Sequence, residues 1–365
     1  VRAVVMHAPG EPLRVEDLEL TPPGPGEVRV KVTAAGVCHS DLHYLRGDLA
    51  ARMPLALGHE GTGVVEEVGA GVDHVGPGDT VVMTWRPRCG QCEFCAGGRP
   101  GLCVKGAVHG QTNGLLRGGT RLSKDGQPVH HLMGVSCFAE EAVVSRESVI
   151  PVPADIPPPV AAIVGCAVIT GMGVVLNRMP NPAGKGVLVI GAGGVGLSSV
   201  IGARLVGANP IVVADIDDEK LTRARELGAT HVVNSAQTDL VEAVRDITGN
   251  GVHWVVEAIG RQATIEQAMA CLRPGGTTFV AGLGAAGDQV TAPLNPMVQQ
   301  EKSVQGSLYG SSNFTVQIPQ LLDLYRAGRI PLDSLLGREY RLDQAEEALA
   351  GLVGGPAGRS VIVLD

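Results

Sequence analysis

The stretch "VLVIGAGGVGLSSVIGARLVG", residues 187–207, admits few folds. An apolar run breaks on Gly191-x-Gly193-x-x-Gly196 and resumes with helical spacing, the pattern of a strand, a tight turn and a helix start. The first glycine makes the turn, the second lets backbone approach a pyrophosphate, and the third lets helix and strand pack closely. Gly194 and Val195 open the helix, whose unpaired N–H groups would face the phosphates. Asp215 ends the next apolar run, where its carboxylate can accept from both ribose hydroxyls and repel a 2′-phosphate. NAD is therefore expected over NADP. Lys220 could approach the same ribose or stand as an exposed helix lysine.

Around this motif the pattern repeats. "GVLVIG", "PIVVAD", "HVVN", "WVVEA" and "TTFVAGL" are short buried-strand candidates, with amphipathic stretches such as "DEKLTRARELGA" between them. That alternation predicts a doubly wound parallel sheet, closed by a further strand near Gly306–Leu308. The first 150 or so residues differ, alternating short apolar runs ("VRAVVM", "EVRVKVTAAGV", "GTGVVEEVG", "DTVVMTW", "EEAVVS") with Gly/Pro turns. They predict a β-rich domain, which the terminal "RSVIVLD" rejoins as a strand.

Four of the eight cysteines crowd into "CGQCEFCAGGRPGLC". Cys89, Cys92, Cys95 and Cys103 follow a C-x2-C-x2-C-x7-C spacing, whose short loops can close a tetrahedron of thiolates around Zn²⁺. Iron–sulfur ligands usually follow other spacings. Four thiolates leave no open coordination position, so this lobe (86–104) is structural. A catalytic zinc needs three ligands and a vacancy. Cys38, His59 and Glu60 sit in strand-to-turn contexts, and Cys166 lies at the passage between the two segments. Spacing alone does not unite them. Cys137 and Cys271 read as small buried hydrophobes. His7, His74, His109, His130, His131, His231 and His253 read as surface or structural.

A net charge of −8 with no Lys/Arg block argues against nucleic acid as a partner. No apolar run is expected to reach transmembrane length, and the opening "VRAVVMHAPGEPLRV" lacks the apolar core of a secretory leader, so a cytoplasmic protein is expected.

Taken together, "GVCHSDLH", "GHEGTGVVEEVGAGV", the cysteine lobe, "GCAVITG", "GAGGVGLSSV" and "GRSVIVLD" resemble the zinc-dependent medium-chain alcohol dehydrogenases, in that family's order and over essentially the whole chain. The resemblance implies an α/β protein: a GroES-like catalytic domain (1–164 and 309–365) and a Rossmann cofactor domain (165–308). It implies that Cys38, His59 and Cys166 bind the catalytic zinc, with Glu60 beneath the metal and Asp41 orienting His59. Ser40 would hydrogen-bond the zinc-bound alcohol and His43 would pass its proton to solvent. His39 stands where many relatives carry a pyrophosphate-binding arginine, and Arg359 matches a second phosphate contact. Thr170 would face the nicotinamide, with Leu49, Trp85 and Phe138 in the substrate pocket. The implied reaction is reversible, NAD-linked oxidation of a primary or aromatic alcohol by hydride transfer from a zinc-bound alkoxide.

The long segment 104–137 resembles the dimer-forming branch, and a homodimer is expected through the edge strand near "KSVQGSLYG". "TWRPRCGQCEFCAGGRPGLC" resembles mycothiol-dependent formaldehyde dehydrogenases, whereas Ala107 replaces the arginine of the glutathione-dependent kind. "SLYGSSNFTVQIPQLLDLYRAGRIPLD" resembles nicotinoprotein alcohol dehydrogenases, which hold NAD as a fixed group. An NAD-binding structural or redox-sensing relative would lack the Cys/His/Cys ligands that this chain retains.

Overall fold

The computed structural model describes residues 1–108, 113–355 and 357–364, so His109 lies outside the described residues. The chain forms two compact units: Val1–Cys166 with Asn313–Arg326 and Leu336–Asp365, and Ala167–Ser312 with Ala327–Leu335.

The first unit is built on Glu27–Gly36, a ten-residue strand. Its alternating Val28, Val30 and Val32 are fully buried, the period-two pattern of a strand with one face inward. Glu60–Val68 pairs along one side of it; Glu141–Ser145 and then Arg359–Val363 share the other. Thr80–Met83 and Val149–Pro151 extend the sheet one way, and Leu336–Tyr340 the other. A second, six-stranded sheet joins Arg14–Asp17, Arg2–Met6, Leu55–Ala56, Gln127–His131, Leu122–Lys124 and Glu19–Leu20. Most of the strands absent from the sequence reading are here, being too short or too polar for alternation to register.

In the second unit six parallel strands lie in the order His231–Asn234, Ile211–Asp215, Val187–Ile190, Val252–Glu257, Leu272–Val280, Ser303–Gly306. Val187, Leu188, Val189 and Ile190 are all buried, because helices cover a parallel sheet on both faces. Each such side chain contributes about 1.5–3 kcal/mol of burial free energy. Val244 of Leu240–Thr248 and Ala268 of Gln262–Ala270 pack on this core. The last strand ends at Gly306, short of the expected Gly306–Leu308, because Leu308–Ser311 turns into a 3-10 helix through Tyr309 and Gly310 at positive φ.

One expectation is corrected. Pro158–Arg178 forms a continuous helical run of 21 residues, long and apolar enough to cross a membrane. It is mostly buried within the protein, the setting of a core helix.

The Gly-rich turn shows why its third glycine is required. A Cβ on Gly196 would lie 1.7 Å from the carbonyl oxygen of Gly191, whereas one on Gly193 would meet nothing within 4 Å. Gly196→Ala is therefore expected to destabilise the folded protein by about 1–3 kcal/mol. Gly193→Ala should leave the unliganded unfolding transition where it is; parallel thermal and urea melts of the two variants check the contrast.

Candidate metal centres and nucleotide loop

Three strand ends and one helical turn of the first unit converge. Gly36 pairs with Glu60 and Gly61 with Met83, so the segments leaving these strands run side by side. Cys38 follows the first strand as N-cap of the helix His39–Arg46. His59 follows Gly58, which sits at φ +90°, and a Cβ there would lie 2.4 Å from the backbone nitrogen of Phe138. Only glycine fits that bend. Cys166 lies in a π-helical turn, Val164–Val168, a distortion frequent at functional sites. A Cβ on Gly165 would sit 2.8 Å from the Met83 carbonyl, so the turn packs directly on Thr80–Met83.

The result is a buried group of Cys38, His59, Glu60 and Cys166 whose ligand atoms all lie within 4.8 Å of one another. His59 turns Nε2 toward Cys166 Sγ at 3.8 Å, while Nδ1 lies 3.2 Å from Asp41 Oδ2. Asp41 is itself held by the N–H of Gly58, 3.1 Å from Oδ1. A carboxylate on the far nitrogen of a histidine is the usual arrangement behind a metal ligand. A hydrogen bond with Cys166 holds the Cys38 thiol well below its usual range, helped by the charges of Arg359 and His59 and opposed by burial. The same hydrogen bond, with burial, pushes Cys166 up, so Cys38 is the first thiolate of the pair. Burial lowers the His59 pKa, but the charges of Asp41 and Cys38 outweigh it and raise the pKa overall. Soft sulfur and imidazole donors fit zinc.

Glu60 differs from its three neighbours. Both its oxygens meet the guanidinium of Arg359: Nε donates to Oε2 at 3.1 Å, and Nη2 to Oε1. Burial raises the Glu60 pKa, with Arg359 opposing. Arg359, expected at a cofactor phosphate, is thus buried and paired with Glu60.

Ser40 and His43 lie one turn apart on the helix face that starts at Cys38. Ser40 Oγ is 3.7 Å from Cys38 Sγ, and His43 Nδ1 is 2.8 Å from Asp48 Oδ2. His39 is exposed at the helix start, and Leu49 is half-buried just beyond its end. Trp85 and Phe138 are buried, the Phe138 ring lying against Gly58.

Cys89, Cys92, Cys95 and Cys103 form a second group of the same compactness, and no cysteine of the chain is in a disulfide. Backbone N–H groups aim at the sulfurs, Cys89 N at Cys103 Sγ (3.3 Å) and Cys92 N at Cys89 Sγ (3.4 Å). The N–H groups of Gln91 and Cys92 bring the Cys89 thiol down to about 6. Burial and the neighbouring sulfurs push Cys95 up to about 12, the repulsion that a shared cation relieves.

In the second unit Gly194–Leu205 starts at the turn, with Gly193 as its N-cap. Asp215 Oδ2 accepts from Ala192 N at 2.7 Å, while Oδ1 accepts from Ile216 N and Asp217 N. Lys220 Nζ stands 4.0 Å from Asp217, which caps Asp218–Leu227. Thr170, on Ile169–Arg178, is buried. That helix packs on Gly194–Leu205, where Ser199 Oγ donates to Gly171 O at 3.0 Å. The open space over Gly193 fits the approach of a pyrophosphate.

Two functional candidates escaped the sequence reading. Glu257, buried at a strand end, accepts from Ile259 N, Gly260 N and Thr264 Oγ1, and so fixes the loop against Gly191. A lone carboxylate closing the apolar run "WVVE" was its signal. Asp48 had only its position five residues past His43.

Comparisons with known proteins show the family. Residues 24–154 match the description "Alcohol dehydrogenase GroES-like domain" and residues 194–327 "Zinc-binding dehydrogenase". The chain is 37% identical to an NDMA-dependent alcohol dehydrogenase of Amycolatopsis methanolica, over 99% of this chain and 98% of that one. It is 38% identical to a putative alcohol dehydrogenase D of Mycobacterium tuberculosis, over 99% of each. The crystal structure of benzyl alcohol dehydrogenase from Acinetobacter calcoaceticus superposes with a TM-score of 0.94 at 30% identity, covering 100% of this chain and 99% of that one. With both domains matched and two groups of side chains that could hold a metal ion, the chain belongs to the zinc-binding medium-chain alcohol dehydrogenases, oxidoreductases that act on CH–OH donors.

Proposed function

We propose that this protein oxidises a primary or aromatic alcohol to its aldehyde with NAD⁺, reversibly, using one catalytic and one structural zinc. The observation that carries the proposal is the commitment of Glu60 to Arg359 beside Cys38, His59 and Cys166. With its carboxylate so engaged, the group offers two thiolates and an imidazole and keeps a fourth position open. Two cysteines and a histidine are the catalytic zinc ligands of alcohol dehydrogenases. A bound zinc there supplies Lewis acidity that lowers a hydroxyl pKa by several units.

The protein's own groups do the rest. Asp41 holds His59 in the tautomer that leaves Nε2 for the metal. Ser40 takes the proton of the alcohol and His43 passes it to solvent. Gly193 and the N-terminus of Gly194–Leu205 receive the pyrophosphate, and Asp215 exchanges its backbone partners for the adenosine ribose. His39 is the candidate for a further phosphate contact, Lys220 for the ribose and Thr170 for the nicotinamide face. Leu49, Trp85 and Phe138 are the candidate pocket residues; the benzyl alcohol dehydrogenase likeness supports an aromatic substrate. Ser303–Gly306, the sheet's open edge, lies close in sequence to exposed Leu294, Val298 and Leu308, which supports a homodimer.

A second reading has support in the likeness to an NDMA-dependent enzyme: NAD stays bound between turnovers and an external acceptor removes the electrons. The deciding experiment follows NADH formation by zinc-loaded protein with added NAD⁺ and primary, benzylic and secondary alcohols. Turnover proportional to added NAD⁺ is expected. Activity seen only with NDMA, with NAD released on denaturation, would establish the second reading instead. Metal analysis separates the two centres: Cys166→Ser should retain the Cys89–Cys103 zinc, lose the other, and cut turnover at least about 100-fold. Cys103→Ser should lose the zinc of the four-cysteine lobe and lower the thermal midpoint.

A further inference from the structure

The proton path contains a residue to which neither the sequence nor the comparisons assign a part. The helix His39–Arg46 stops at Gly47, at φ 80° and ψ 12°, a left-handed cap that glycine adopts without strain. The chain then folds back onto one carbonyl: Asp48 N donates to His43 O at 2.9 Å. This return sets the Asp48 carboxylate 2.8 Å from His43 Nδ1. Both side chains are partly exposed, 21% and 34%, so their pairing adds little to stability. Its consequence is chemical.

From this arrangement we infer that Asp48 is a positioning residue that fixes the tautomer of His43. A carboxylate accepts only, so the neutral imidazole keeps its hydrogen on Nδ1 and its lone pair on Nε2. Nε2 makes no hydrogen bond among the described residues and is the atom left to take up a proton. That proton, released from the alcohol hydroxyl and relayed by Ser40, forms the Nε2–H bond. Its loss to water restores the neutral ring, with nothing oxidised or reduced in the relay. The helix cap thus does two things with one turn: it ends the helix and orients the ring. The inference rests on the alcohol dehydrogenase reading above, but the tautomer can be tested without it.

Side-chain nitrogen shifts of ¹⁵N-histidine-labelled, zinc-loaded protein report which ring nitrogen carries the hydrogen, and His43→Gln identifies the signal. The wild type should show His43 protonated at Nδ1. In Asp48→Asn the amide can donate to Nδ1, so the hydrogen should move to Nε2, with kcat falling at least about tenfold and KM little changed. Asp48→Glu should recover the Nδ1 form and part of the rate. Asp48→Ala, which offers no donor, covers the case in which asparagine disturbs the turn, and should leave the ring in a mixture of tautomers with reduced kcat. An unchanged tautomer in both Asp48→Asn and Asp48→Ala, or kcat within about twofold of wild type in both, would overturn the inference. A wild type inactive on every alcohol, whose tautomer still switches in Asp48→Asn, would defeat the functional reading and uphold control of the ring by Asp48.

Discussion

A carboxylate with no exposed surface needs partners that compensate its charge, and in this protein Glu60 has the guanidinium of Arg359. The two lie 299 residues apart in sequence, yet both are carried by strands that pair with the end of Glu27–Gly36. That central strand is what brings them together. Its last residue also leads into Cys38, so the ion pair, the first thiolate and His59 are placed by one piece of sheet. Removing either charge would leave the other buried and alone, which costs far more than the pair contributes as a whole. The donor group therefore rests on an electrostatic floor supplied from the two ends of the chain.

The two sulfur-rich groups show how the same atoms serve different ends. In Cys89–Cys103 the backbone turns its N–H groups onto the sulfurs, and four thiols close on one another within a short loop. The Cys38, His59 and Cys166 group is assembled from three distant segments, with its spare carboxylate held off by arginine. A closed site stabilises a fold and an open one can act on a ligand. The second unit forms its glycine-rich turn similarly, from strand ends on either side of the point where strand order reverses. Asp215 and Glu257 each tie one side of that crevice through backbone N–H groups.

Much of this was legible in the residues. Continuous apolar runs such as "VLVI" announced strands buried on both faces, and the glycine spacing announced the turn between strand and helix. The cysteine lobe was legible because its ligands are near neighbours. Short strands such as Leu55–Ala56 were not, because two residues carry no period. The membrane-length run at Pro158–Arg178 was passed over because its prolines and glycines break up an otherwise apolar stretch.

What the sequence determined by itself was local: which runs are strands, where glycine is obligatory, and which cysteines can share an ion across a short loop. Only the tertiary structure decided that Arg359 lies against Glu60, that Glu257 braces the loop beside Gly191, and that Asp48 returns onto His43. The reason is physical. Local backbone preferences and short loops are written residue by residue, whereas the partner of a buried charge is chosen by packing among segments far apart in the chain, 299 residues in the case of Glu60 and Arg359.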